Sequence, residues 1–144
     1  MKALLTQSVF IVGSLIITFG LRAQTFSGYD SKTRKACQLV VLKEFYSGEE
    51  TKQNYRANIK LILDQFDDNE ADDHDHHASE VILEVRFDQK NPKLLIGAKK
   101  DNSVQLAIVM NQVTSRLSDP SFYNLKRKHG GHFHIETCKE LRSE

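Results

Sequence analysis

Proline and glycine are scarce, two and seven residues of 144, so the chain lacks the composition that keeps long segments disordered. Cysteine is scarcer still. Cys37 and Cys138 are the only two, and without a Cys-x-x-Cys pair they point away from a thiol redox motif. No charge of one sign prevails, with 20 Lys and Arg against 19 Asp and Glu. That balance gives no electrostatic lure for nucleic acid or an anionic membrane. There is no phosphate-cradling glycine loop or dinucleotide fingerprint. Ser27, Ser79 and Ser103 have no nucleophile-elbow setting. No internal repeat is present. These absences count against nucleotide enzymes, serine hydrolases, nucleic-acid binders and solenoids, and lean the reading away from an enzyme.

Long apolar runs are also absent, except at the start. Met1 and Lys2 precede a nearly apolar stretch from Ala3 to Leu21, and Arg22, Ala23 and Gln24 end it. A charged start, an apolar middle and a small residue at the exit is the pattern of a secretory signal peptide. Residues 1–23 are therefore expected to be removed after Ala23, with a cut after Gly20 as the alternative, and the protein is expected to be secreted or periplasmic. An uncleaved anchor is the rival, because the run approaches the roughly 20 residues that span a bilayer. Gly13, Ser14, Thr18 and Gly20 dilute it. No membrane span is expected after cleavage. Residues 1–23 hold Lys2 and Arg22 but no acid, so the remainder is acidic by one charge. Its roughly 120 residues suit one domain with a modest core.

In an oxidising compartment an isolated cysteine pair is expected to form a disulfide. Cys37–Cys138 would close a loop of roughly a hundred residues and contribute on the order of 4 kcal/mol.

Hydrophobic periodicity suggests an α+β domain, with helices on one face of a small antiparallel sheet over 33–144. Residues 24–32 read as a flexible lead-in. Cys37, Val40, Val41 and Phe45 recur at helical spacing within 31–46, although continuous Leu39–Leu42 also suits a strand. Tyr55, Ile59, Ile62, Leu63 and Phe66 share one face of a helix, while Tyr55, Ala57, Ile59, Leu61 and Leu63 alternate as in a strand. The lack of turn residues from Glu49 to Phe66 favours the helix. Val81, Leu83, Val85 and Phe87 alternate cleanly over a strand. Asn91-Pro92 marks a turn, and 93–99 the hairpin partner. Leu106, Met110, Val113 and Leu117 predict a helix ending before Asp119-Pro120. Lys126, Arg127 and Lys128 read as a solvated loop before Gly130-Gly131, and 132–138 as a closing strand. A helix followed by a hairpin resembles the nuclear-transport-factor-2-like and cystatin-like domains. A secreted β-sandwich is the alternative fold.

Chemistry concentrates in the histidines. All six fall in two clusters, His74, His76 and His77, then His129, His132 and His134. The first lies in 67–77, which holds six carboxylates and no basic residue. Asp72, Asp73, His74, Asp75, His76 and His77 are candidate ligands, since imidazole and carboxylate suit Zn²⁺, Cu²⁺ and Ni²⁺. The segment resembles the metal-collecting loops of exported zinc-binding proteins. A solvated linker is the competing reading.

The second cluster has strand geometry. His132, His134, Glu136 and Cys138 would share one face, with Phe133, Ile135 and Thr137 on the other. Two imidazoles at alternate positions can chelate one ion, so His132 and His134 are candidate ligands. The competing reading turns Phe133 and Ile135 to the core and the histidines to water. His-x-His near a C-terminus also resembles the closing motif of zinc murein endopeptidases, which pair it with an upstream histidine and an aspartate seven residues on. His77 and Glu84 have that spacing, with glutamate for aspartate and no glycine-bearing serine-histidine motif.

The reading is an exported small domain that binds or buffers a divalent transition metal, Zn or Cu. The alternatives are a disulfide-stapled interaction or structural domain and, last, a zinc hydrolase of the cell envelope.

Overall fold

The computed structural model describes residues 24–63 and 79–144. Eight strands run in sequence: β1 Gln24–Asp30, β2 Ala36–Tyr46, β3 Tyr55–Leu63, β4 Ser79–Phe87, β5 Leu94–Ala98, β6 Val104–Met110, β7 Pro120–His129 and β8 His132–Ser143. Each pairs antiparallel with the next, and β1 pairs with β8, so the sheet closes into an up-and-down barrel. The only helical element among the described residues is a 3₁₀ turn at Lys52–Asn54. Turns 31–35, 99–103 and 130–131 lie at one end, called here the upper end. Connections 47–54, 88–93 and 111–119 lie at the lower end.

This overturns the α+β expectation, the helices within 31–46, 49–66 and 101–117, and the nuclear-transport-factor-2-like and cystatin-like resemblance. The expected lead-in 24–32 holds β1, and the basic stretch 126–128 belongs to β7. The alternative β-sandwich is also corrected, since no free edge separates two sheets. Strand 4, the turn at Asn91-Pro92, β5 and the start of β8 follow the sequence reading.

The cause of the helix readings lies in a spacing of four. Cys37 and Val41, Tyr55, Ile59 and Leu63, and Leu106 and Met110 recur at intervals of four. That interval satisfies both a helical stripe and a strand's two-residue alternation. Apolar side chains on the outer face, Val40 and Ile62, completed the false helical stripe. The register decides between the two periods. Tyr55, Ala57, Ile59, Leu61 and Leu63 all point inward and are buried, beside inward Val81, Leu83 and Val85 on β4.

The barrel interior is filled by these side chains, as eight strands allow. Among the described residues no polar or charged residue is fully buried. Outward positions on β4 are Glu80, Ile82, Glu84 and Arg86, all exposed. On β4 an apolar inner row faces a mostly charged outer one, the reverse of a strand in a membrane-spanning barrel, whose lipid-facing band is apolar.

At the lower end, segment 111–119 carries Leu117 into the barrel, where it is fully buried. The Tyr55 ring meets those of Tyr46 and Phe87 at centroid distances of 5.4 and 5.6 Å. The Tyr55 hydroxyl donates to Glu44 Oε1 at 2.7 Å, and Arg116 Nη2 reaches Glu44 Oε2 at 2.8 Å. The loop is further tied by the Tyr46 hydroxyl, which donates to the Ser115 carbonyl.

Candidate functional site

The upper end is polar where the lower end is aromatic. Cys37 on β2 and Cys138 on β8 form a disulfide across β1, with Cα atoms 6.1 Å apart. Gly28 on β1 passes beneath it. A Cβ there would collide with the Lys139 carbonyl and sit 3.2 Å from Cys138 Sγ, so only glycine admits this approach. The expected cysteine pairing therefore holds. It joins two strands where the sequence reading supposed a helix and a strand.

Above the disulfide, β7 and β8 are in register as Leu125↔Glu136, Arg127↔His134 and His129↔His132. His132, His134, Glu136 and Cys138 form one row, continuous with the barrel interior, as strand alternation predicted. The opposite row carries Phe133 and Ile135, which are 47% and 53% exposed. The reading that turned those two toward the core is corrected. His132 and His134 are themselves exposed at the barrel rim.

Arg127 was missed in the sequence, where it read as one of three solvating cations. Strand alternation sends it inward while Lys126 and Lys128 go outward. Its Nη2 binds Glu136 Oε1 at 2.5 Å, and its Nη1 donates to Ser79 Oγ at 2.8 Å. Arg127 thus spans the rim from β7 to the first residue of β4. The ion pair is mostly shielded, with both side chains about one-fifth exposed. A cation neutralised in this way leaves the neighbouring imidazoles less repulsive to a metal ion. Deeper in, the Tyr123 hydroxyl is buried with no hydrogen-bond partner among the described residues. Burial holds it protonated above the usual tyrosine range, and the Glu136 carboxylate acts in the same direction.

Asp72, Asp73, His74, Asp75, His76 and His77 lie outside the described residues. Among the described residues, no group of three or more His, Cys, Asp or Glu is placed to hold a metal ion. The murein-endopeptidase spacing is not supported at its acid. Glu84 projects from the outer face of β4, with its carboxylate 3.8 Å from Arg56 Nη1, whereas His134 belongs to the inward row.

Comparison with protein-family models, with curated proteins and with solved structures finds no match to this chain.

Proposed function

We propose that this protein is an exported, non-catalytic binding domain whose upper rim captures a divalent transition metal, Zn²⁺ or Cu²⁺. His132 and His134 would act together with the His/Asp-rich stretch Asp72–His77. The observation that carries this reading is the hydrogen bond from Arg127 to Ser79. Arg127 is the cross-strand partner of His134. Ser79 follows His77 by two residues. His132 and His134 stand at that rim, the stretch Asp72–His77 is close to Ser79 in sequence, and the combined imidazoles and carboxylates suit a borderline metal. The apolar, filled barrel serves as a scaffold. Its disulfide is consistent with an oxidising compartment.

A second reading, an interaction or structural domain with incidental histidines, is favoured by the lack of a three-ligand group among the described residues. Isothermal titration with Zn²⁺ and Cu²⁺ separates the two. Metal capture predicts stoichiometric binding that weakens at least tenfold in both His132/His134→Ala and His74/His76/His77→Ala. Binding unaltered in both variants sinks it in favour of the second reading.

A further inference from the structure

A trough of about 710 Å³ lies on the outer surface of β3 to β8, away from the histidine row. Its origin is local. Strands β4 and β5 stay in register only at Arg86↔Ile96 and Phe87↔Leu95. Gly97 then presses on β4, where a Cβ would stand 2.6 Å from the Glu84 carbonyl oxygen and 3.0 Å from Val85 Cγ1. The outward residues that follow are small, Ala98 on β5 and Ala107 on β6. Long side chains rise on either side of this low floor. Arg56, Glu84 and Arg86 stand on β3 and β4, and Lys126 and Ile135 on β7 and β8. The row Arg86–Ile96–Ala107–Asn124 crosses four strands in register. Three inter-strand steps give it a length of about 14 Å.

We propose that this trough is a binding site for a small anionic amphiphile, a carboxylate or sulfate head on an apolar body. Its volume falls within the roughly 300–1,000 Å³ of ligand sites. Three cations face it, against one carboxylate. Glu84 is directed to Arg56, so Arg86 and Lys126 keep their charge for a ligand, Arg86 at one end of the row and Lys126 on β7 beside the other. Guanidinium and ammonium donors bind a carboxylate or sulfate through charge-assisted hydrogen bonds. Between them the floor offers Ile96, Ala98 and Ala107 to a hydrocarbon body. The apolar surface continues past the trough's edge. Exposed Ile135 and Phe133 follow one another on the outer face of β8, and Lys126 Nζ lies 4.5 Å from the Phe133 ring centroid. A cation already resting on an aromatic ring suits a ligand with one charged and one apolar end. An acidic peptide or a glycan would leave the apolar floor unused. The site shares no residue with the metal-binding rim, so it stands or falls separately from that reading.

Dodecanoate is the probe, titrated calorimetrically below its micelle concentration against protein recovered from expression of the full chain. Dodecanol is the uncharged comparison, and phosphatidylglycerol vesicles test a membrane as the source of the same chemistry. Saturable one-to-one binding of dodecanoate is expected, at least tenfold tighter than dodecanol. Arg86→Glu or Lys126→Glu, whichever end holds the single carboxylate, should weaken it about tenfold or more, the loss of a hydrogen bond to a charged group. Ala107→Phe should abolish it by filling the floor. Lys43→Glu on β2, outside the trough, should leave it unaltered. Circular dichroism of each variant distinguishes lost binding from lost folding. No saturable binding, equal affinity for dodecanol, or insensitivity to all three trough variants would overturn the proposal. Binding to vesicles without binding of the monomer would also overturn it, assigning the face to a membrane surface.

Discussion

At the lower end of the barrel, Leu117, Tyr55 and Phe87 pack as an apolar plug, and the one deep hydroxyl there, on Tyr55, is hydrogen-bonded to Glu44. At the upper end the same closed sheet finishes in a disulfide, an Arg127–Glu136 ion pair, a row of rim histidines and a buried Tyr123 hydroxyl without a partner among the described residues. The lower end is closed chiefly by apolar packing. A polar closure at the other costs desolvation and is hard to explain by stability alone. The contrast teaches that packing closes the lower end, whereas the upper end adds to its stabilising disulfide an exposed polar rim that is the candidate for function.

Breaking the disulfide should have the largest effect. Cys37 and Cys138 are 101 residues apart, and a loop of that order contributes about 4–5 kcal/mol in the chain-entropy estimate. Denaturant unfolding of Cys37→Ser/Cys138→Ser against the oxidised protein should recover most of this difference. Next, Leu117→Ala should cost about 3 kcal/mol, since it empties a fully buried position in the lower plug. A much smaller loss would mean that segment 111–119 does not seal the barrel.

The two tyrosines sharpen the contrast. Tyr55→Phe forfeits the hydrogen bond to Glu44 and should destabilise by about 1 kcal/mol. Tyr123→Phe removes an unpartnered buried hydroxyl and should be neutral or stabilise by about 1 kcal/mol. Both hydroxyls are held protonated above the usual tyrosine range, chiefly by burial. Stability is therefore independent of their titration below about pH 10, the unfolded tyrosine value, and falls as pH rises beyond it. The expected slope is about 1.4 kcal/mol per pH unit for each tyrosine, and each Phe variant should remove its share of it. The smallest effect belongs to His132→Ala and His134→Ala. As exposed rim residues, they should change stability by no more than about 0.5 kcal/mol without metal.

The sequence carried the strand that alternates most cleanly. In β4, charges at Glu84 and Arg86 separate the apolar positions, and only a strand satisfies that pattern. It carried the disulfide through compartment and count, and it carried the row shared by His132, His134, Glu136 and Cys138. It did not carry the barrel. In β2, β3 and β6, intervals of four between inward residues and apolar outward neighbours such as Ile62 imitated a helix. Arg127 was hidden for a related reason. Three consecutive cations look alike until a strand assigns the middle one to the interior. The trough was illegible because its floor depends on Gly97 meeting the Glu84 carbonyl, a contact between strands that no local pattern records.

The central claim is that the two histidine sets act as one site, and a double-mutant cycle on Zn²⁺ affinity with His77→Ala and His134→Ala tests it most directly. A joint site predicts that either substitution alone removes most of the affinity and that the double variant loses little more, a coupling of about 1 kcal/mol or larger. Losses that simply add, or no loss in either single variant, would contradict it.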